Sequence, residues 1–218
     1  MCAIIGVRCI PTEENFNRIE SLFVQSKIRG LHATGISYVV NNQLITKKEP
    51  IPADVFIKNF NIRKTFQNEE QITFIGHCRY STSDILYNQP IADDNFSIVH
   101  NGVVTQKEAF EWKDLFKYDC TTKNDSELLF KYLKDNQDIK DFYNYFGNIS
   151  FALLSLDLKG EISAYRNSLR PLWKVEKDND TFYASTQNIL IRSGFTSEDC
   201  VKLYSIDSKE KQNRSMHG

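Results

Sequence analysis

The chain enters an apolar, β-branched run at its third residue. Ala3-Ile4-Ile5-Gly6-Val7-Arg8-Cys9-Ile10 reads as a buried strand, ended by Pro11-Thr12. The residue in front of that strand is Cys2. If Met1 is removed, the Cys2 thiol and a free α-amine sit on one residue. An α-amine has an ordinary pKa near ~7.7–8.0, so it is partly neutral at cellular pH and can take a proton from the thiol. On position alone, Cys2 is better read as a small buried residue opening a strand, because buried free cysteines are common.

The remaining pattern mixes helices with strands joined by tight turns. Thr12 can cap a helix whose apolar face is Phe16, Ile19, Leu22 and Phe23, running to Arg29-Gly30. Ile36 to Val40 and Leu44 to Thr46 flank Asn41-Asn42-Gln43 as a hairpin, and a short helix is expected around Val55 to Phe60. Ile72 to His77 and Phe96 to His100 are strands, Thr105 to Phe116 is helical, and a further helix starts at Asn124, where Asn124 and Glu127 have capping-box spacing. Ile149 to Asp157, Ile162 to Arg166, Leu172 to Glu176 and Thr181 to Ala184 are strands separated by Lys159-Gly160 and Asp178-Asn179-Asp180, before a last helix at Thr186 to Arg192. This predicts an α+β fold with antiparallel sheets rather than regular βαβ alternation. One domain is expected over residues 2–204, and residues 205–218, nearly free of apolar side chains, form a polar disordered tail.

Bulk properties narrow the function classes. With 27 basic and 28 acidic residues there is no electrostatic grip on nucleic acid or an anionic membrane. The five cysteines make no CxxC pair, which points to a reducing compartment, and the four histidines show no ligand spacing with them, so no metal site is expected. A basic region followed by a long apolar run is absent, as is any stretch of about 18 apolar residues, so a cytoplasmic protein without membrane spans is expected.

Four polar segments end regular elements: Arg29-Gly30-Leu31-His32-Ala33-Thr34-Gly35, Gly76-His77-Cys78-Arg79-Tyr80-Ser81-Thr82, His100-Asn101-Gly102 and Asn124-Asp125-Ser126-Glu127. Arg79 offers a planar fork for a carboxylate and Asp125 a charge for an ammonium, so together they fit the two ends of a free amino acid. The Asn101 side-chain N–H and the Gly102 backbone N–H could converge as an oxyanion hole. Singly, each has a plainer structural reading: a turn for Asn-Gly, a surface ion pair for Arg79, a first-turn acid for Asp125, satisfied strand ends for His77 and His100. Their joint appearance behind Cys2 reverses the odds.

In order along residues 2–200, "CAIIGV", "RGLHATGIS", "GHCRYSTS", "NQPI" with "IVHNGVV", "TKNDSELLFKYL", "GNISFALLSLD", "AYRNSLRPLW" and "YASTQNIL" together resemble the glutaminase domain of the class II glutamine amidotransferases, which are N-terminal-nucleophile enzymes. The motifs are nearest the amidophosphoribosyltransferase and glucosamine-6-phosphate synthase branches. The resemblance implies an αββα sandwich with two antiparallel sheets between helical layers, and hydrolysis of L-glutamine to L-glutamate and ammonia without metal or organic cofactor. By position it implies Cys2 as nucleophile and Asn101 with Gly102 as the oxyanion hole. Arg79 matches the glutamine α-carboxylate site and Asp125 the α-ammonium site, with Tyr80, Thr82 and Ser83 in the substrate-pocket loop. Arg29 matches an arginine supporting the region of the N-terminal residue, and His100 is grouped with it as a supporting residue. The chain departs from the family in Ala3 for a common glycine, His32-Ala33 for an acid–small pair, Ser83 where one branch has histidine and Asn124 for a frequent threonine.

Family members usually carry a fused synthase domain, and no Gly-rich phosphate loop is present here. A stand-alone glutaminase subunit feeding a separate synthase or amidotransferase partner is therefore expected. The alternatives are a hydrolase of another γ-glutamyl or related amide, and a non-catalytic regulatory member of the fold.

Overall fold

The structure is a computed structural model and describes residues 2–80, 88–136, 138–147 and 149–207. β1 (Ala3–Cys9) lies inside a seven-stranded sheet, antiparallel to both β4 (Ile72–Arg79) and β10 (Asp180–Ala184). β2 (Ala33–Val40) and β3 (Gln43–Glu49) extend the sheet beyond β4, while β9 (Trp173–Lys177) and β11 (Cys200–Lys202) extend it beyond β10. The second sheet runs β5 (Ile91–Ala92), β6 (Phe96–Val103), β7 (Ser150–Asp157), β8 (Ile162–Arg166), again antiparallel throughout.

Residue alternation sorts these strands into layers. On β1, Ala3, Ile5, Val7 and Cys9 point to one face and pack with Phe16, Ile19 and Phe23 of α1 (Glu13–Ser26) and Phe56 of α2 (Ala53–Phe60). α7 (Gln187–Arg192) joins that layer through Ile189 and Leu190. The other face of β1 carries Ile4, which meets Ile75 of β4, Val99 of β6 and Leu154 of β7 in a dry layer between the sheets. Ile98, Phe151 and Leu153 line the far side of the second sheet, under α5 (Ser126–Asn136) and α6 (Phe142–Phe146). The result is the four-layer αββα arrangement. Each fully buried side chain of this size contributes roughly 1.5–3 kcal/mol, so β1, apolar on both faces, is committed to the interior.

Local chemistry explains the joints. Thr12 accepts the Asn15 N–H at 3.2 Å and starts α1. Asn41-Asn42 and Asp178-Asn179 all adopt positive φ, the geometry of the two-residue hairpin turns that match strand twist.

Two local expectations change. Thr105 to Phe116 is not helical throughout: winding starts only at a 3-10 turn (Ala109–Glu111) leading into α4 (Trp112–Phe116). Glu108 and Glu111 form a capping box there, and Thr105 instead takes the Lys107 N–H at 3.1 Å in a local turn. Glu127 does not close a capping box with Asn124. It reaches back to the backbone and hydroxyls of Thr121 and Thr122, while Asn124 Oδ1 accepts the Ser126 N–H. Burial opposes ionisation of Glu127, but those hydrogen bonds more than offset it and hold its carboxyl below the usual range. Residues 208–218 of the expected tail lie outside the described residues; before them, the Ile206 N–H bonds Arg166 O and its side chain packs on the second sheet's core, while Asp207 accepts from Ser168.

Candidate active site

The same alternation that builds the layers gathers the site. Cys2 shares the parity of Ile4, His77 and Arg79 that of Ile75, and Asn101 that of Val99, so all four belong to the faces between the two sheets. They lie past the end of the dry layer, where the gap opens into a cleft of ≈ 650 Å³. Gly102, Asp125, His100 and Tyr80 also line it, together with the 105–109 loop and Arg170.

On the first sheet, Ala3 pairs with Cys78, which sets Cys2 beside the end of β4. Arg29 Nε donates to Cys2 O at 3.2 Å. This contact requires the 3-10 turn at Lys27–Arg29 to lie against β4, and a Cβ on Gly30 would come within 2.3 Å of Cys78 O. Glycine is needed there for close approach, not for its dihedral freedom. Arg79, half-buried, donates from Nη1 to Asn88 Oδ1 at 3.2 Å. Burial lowers the pKa of both arginines, and the neighbouring Cys2 acts on each in the opposite sense. Cys78, facing the helices, is pushed well up by burial and then by Cys2, so it is an inert thiol.

On the second sheet, Asn101 is buried and its Nδ2 has no hydrogen-bond partner among the described residues. A buried amide N–H left unpaired costs roughly 1–3 kcal/mol, and such groups in native folds are unusual enough to require an explanation. Gly102 has φ +152°, and a Cβ there would lie 1.8 Å from Ser150 O. Asp125 Oδ2 accepts the Val104 N–H at 2.6 Å and the Thr105 N–H at 3.3 Å, tying the start of α5 to the chain that follows Gly102.

Burial depresses the pKa of both cleft imidazoles. Burial, then Arg79 and His100, bring the His77 pKa down to about 3, and its Nε2 is buried without a partner. His100 is also pulled down by burial, against the pull of Asp125. Both its nitrogens are engaged, Nδ1 with Ser126 Oγ at 2.9 Å and Nε2 with Ser150 O at 3.3 Å.

Cys2, Arg79, Asn101, Gly102, Asp125 and His100 thus line one opening, and Arg29 stands outside it, on the Cys2 carbonyl. Tyr80 is at its rim, 55% exposed, with its ring 5.1 Å from that of His32. Thr82 and Ser83 lie outside the described residues. Sequence reasoning missed Gln89, Ser126 and the 105–109 loop as cleft residues. Ser126 follows Asp125 and Gln89 opens the Gln-Pro pair, but nothing in their spacing tells that they meet. Among the described residues no cluster of three metal-ligating side chains forms, and no helix is long and apolar enough to cross a membrane.

Two antiparallel sheets stacked between helical layers make an αββα fold, with Cys2 at the start of an inner strand of the first sheet and lining the opening between the sheets. No protein-family model matches the chain, and no curated protein matches it. Among solved structures, the glutamine phosphoribosylpyrophosphate amidotransferase from B. subtilis, complexed with ADP and GMP, superposes with a TM-score of 0.64 at 20% identity, over 93% of this chain and 44% of that one. A structure described as the allosteric regulatory enzyme of purine biosynthesis gives 0.63 at 18% identity, again over 93% and 44%. At such identities the likeness is one of fold, and this chain spans less than half the length of either.

Proposed function

We propose that the chain is a glutaminase that hydrolyses L-glutamine to L-glutamate and ammonia through a Cys2 thioester and passes the ammonia to a separate synthase or amidotransferase partner. One observation carries this reading: an unpartnered buried amide, Asn101 Nδ2, lines the same cleft as Cys2, Arg79 and Asp125. An oxyanion hole awaiting a charge that exists only during reaction accounts for that unpaired donor.

In this mechanism glutamine docks with its α-carboxylate on Arg79 and its α-ammonium on Asp125. Removal of Met1 frees the Cys2 α-amine, which takes the thiol proton. His77 and His100 leave this role open, since one is a very weak base and the other has both nitrogens bonded. The thiolate attacks the side-chain amide carbon, and the Asn101 and Gly102 N–H groups receive the developing oxyanion. Collapse breaks the C–N bond, and the Cys2 ammonium returns its proton to the departing nitrogen, giving ammonia. A water then adds to the γ-glutamyl thioester, its proton going to the α-amine, and expulsion of the thiolate gives glutamate. The sulfur recovers its proton from the ammonium.

Intact mass before and after treatment with a glutamine-mimicking diazo-ketone tests the reading. Loss of Met1, a single adduct on Cys2 and glutamate release from glutamine are expected. A chain that lacks Met1 yet gains no adduct and releases no glutamate would sink it. Stimulation of turnover by a co-purifying synthase tests the partner.

A further inference from the structure

We infer that Gln89, His100 and Ser126 form one buried hub that sets the glutamine-handling groups relative to one another, making Gln89 and Ser126 positioning residues. The inference rests on the glutaminase reading for its consequence, but its geometry stands apart from it.

Gln89 Nε2 donates to both His100 O at 2.9 Å and Ser126 Oγ at 3.0 Å, and Gln89 Oε1 accepts the His100 N–H at 2.5 Å. Ser126 Oγ meets His100 Nδ1 at 2.9 Å. Ser150 O can only accept, so the proton on the His100 ring sits on Nε2 and Nδ1 is the acceptor. Ser126 therefore gives its hydroxyl proton to Nδ1 and receives the Gln89 N–H on its lone pair. Every donor in the cluster finds an acceptor, and the three residues are 1–6% exposed.

Each hub residue is the chain neighbour of one handle. Gln89 follows Asn88, which holds Arg79; His100 precedes Asn101; Ser126 follows Asp125. The hub joins residues 11, 26 and 37 apart in sequence; it extends the β5–β6 pairing, which ends at Ile91↔Ile98, and among the described residues no strand pairing links the start of α5 to β6. Gly35 makes room for it, since a Cβ there would meet Gln89 O at 2.0 Å. A fully satisfied polar cluster in a low-dielectric interior specifies one arrangement, and a half-satisfied one does not. Loss of one member shifts the carboxylate, oxyanion and ammonium contacts together, not one alone.

Ser126→Ala in the full chain tests this, with Gln89→Ala cutting the same cluster from the other side. Hydrogen exchange at the His100 and Val104 amides is expected to quicken about tenfold, the scale of one lost buried hydrogen bond, while amides of β1 stay within about twofold. Alkylation of Cys2 by iodoacetamide, which uses none of the handles, is expected to hold within about twofold. The kcat for glutamine falls about 10–100-fold, as for a displacement near 1 Å at a reacting centre. Unchanged exchange at His100 and Val104, or equal quickening in β1, overturns the hub. Local quickening with unchanged kcat overturns the positioning role. A wild type that releases no glutamate ends the glutaminase reading and the positioning role with it, and exchange still decides the hub by itself.

Discussion

On the wall of the cleft that comes from the seven-stranded sheet, Cys2 and Arg79 take their places from strand pairing and from the close approach that Gly30 permits. On the opposite wall, from the four-stranded sheet and α5, strand pairing also places Asn101, opposite Ala152 of β7, but Asp125 and the residue before Asn101 are tied in addition by side-chain hydrogen bonds between segments distant in sequence. The first wall is built by backbone and apolar layers, which tolerate polar substitution at the site so long as the pairing survives. The second adds buried polar groups, where losing one partner strands another. Chemistry on the first wall should therefore be separable from folding, while on the second it should be separable only at Asn101, whose amide nitrogen bonds nothing.

The largest expected effect is that of Cys2→Ala: turnover falls on the order of 10⁴-fold or more, as when a nucleophile is removed, with the thermal midpoint nearly unchanged. Loss of turnover accompanied by unfolding would break the contrast on the first wall. Asn101→Ala is expected to lower kcat by about 10²–10³-fold, again with little change in stability, because no protein hydrogen bond from Nδ2 is lost. A large stability loss would mean that Asn101 serves the fold. Asp125→Asn is expected to raise KM about tenfold or more by removing the charge opposite an ammonium, and to cost on the order of 1 kcal/mol by weakening the acceptor for Val104 and Thr105. Paired kinetic and urea measurements show both effects or refute the link.

A slope of stability with pH is expected as well. His77 has its pKa lowered from 6.5 to about 3 by burial and then by Arg79 and His100, so the unfolded chain binds a proton in that window and the folded chain does not. Stability is therefore fully present above pH 6.5 and declines as the pH falls toward 3, by up to about 1.4 kcal/mol per pH unit. His100 shifts in the same direction. Urea midpoints for His77→Gln should fall less steeply between pH 6.5 and 5 than those of wild type, and equal slopes would remove His77 from the account.

Strands and hairpins were legible because their signals are short-range. The alternation in Ala3 to Cys9 and the Asn41-Asn42 and Asp178-Asn179 turns mark them within a few residues. Arg79, Asn101 and Asp125 stood out in the sequence because each lies near the end or start of a regular element, and the fold brings all three to one cleft. The 105–108 loop was misread as helix because Gln106, Lys107 and Glu108 are good helix formers that run without a break into the winding at Ala109, while its hydrogen bonds go to Thr105 and Asp125. The placement of 205–207 was hidden for a similar reason, since composition does not report one well-seated isoleucine.

Residue order alone settled the α+β class, the hairpins and the face that each strand residue takes, because alternation is a property of neighbouring positions. Tertiary structure alone decided that the parities of β1, β4 and β6 converge on one opening, that Asn101 keeps an unpaired amide there, and that Gln89, His100 and Ser126 meet. Those facts depend on segments tens of residues apart closing against each other, and on burial, which turns His77 and His100 from ordinary titratable groups into neutral ones.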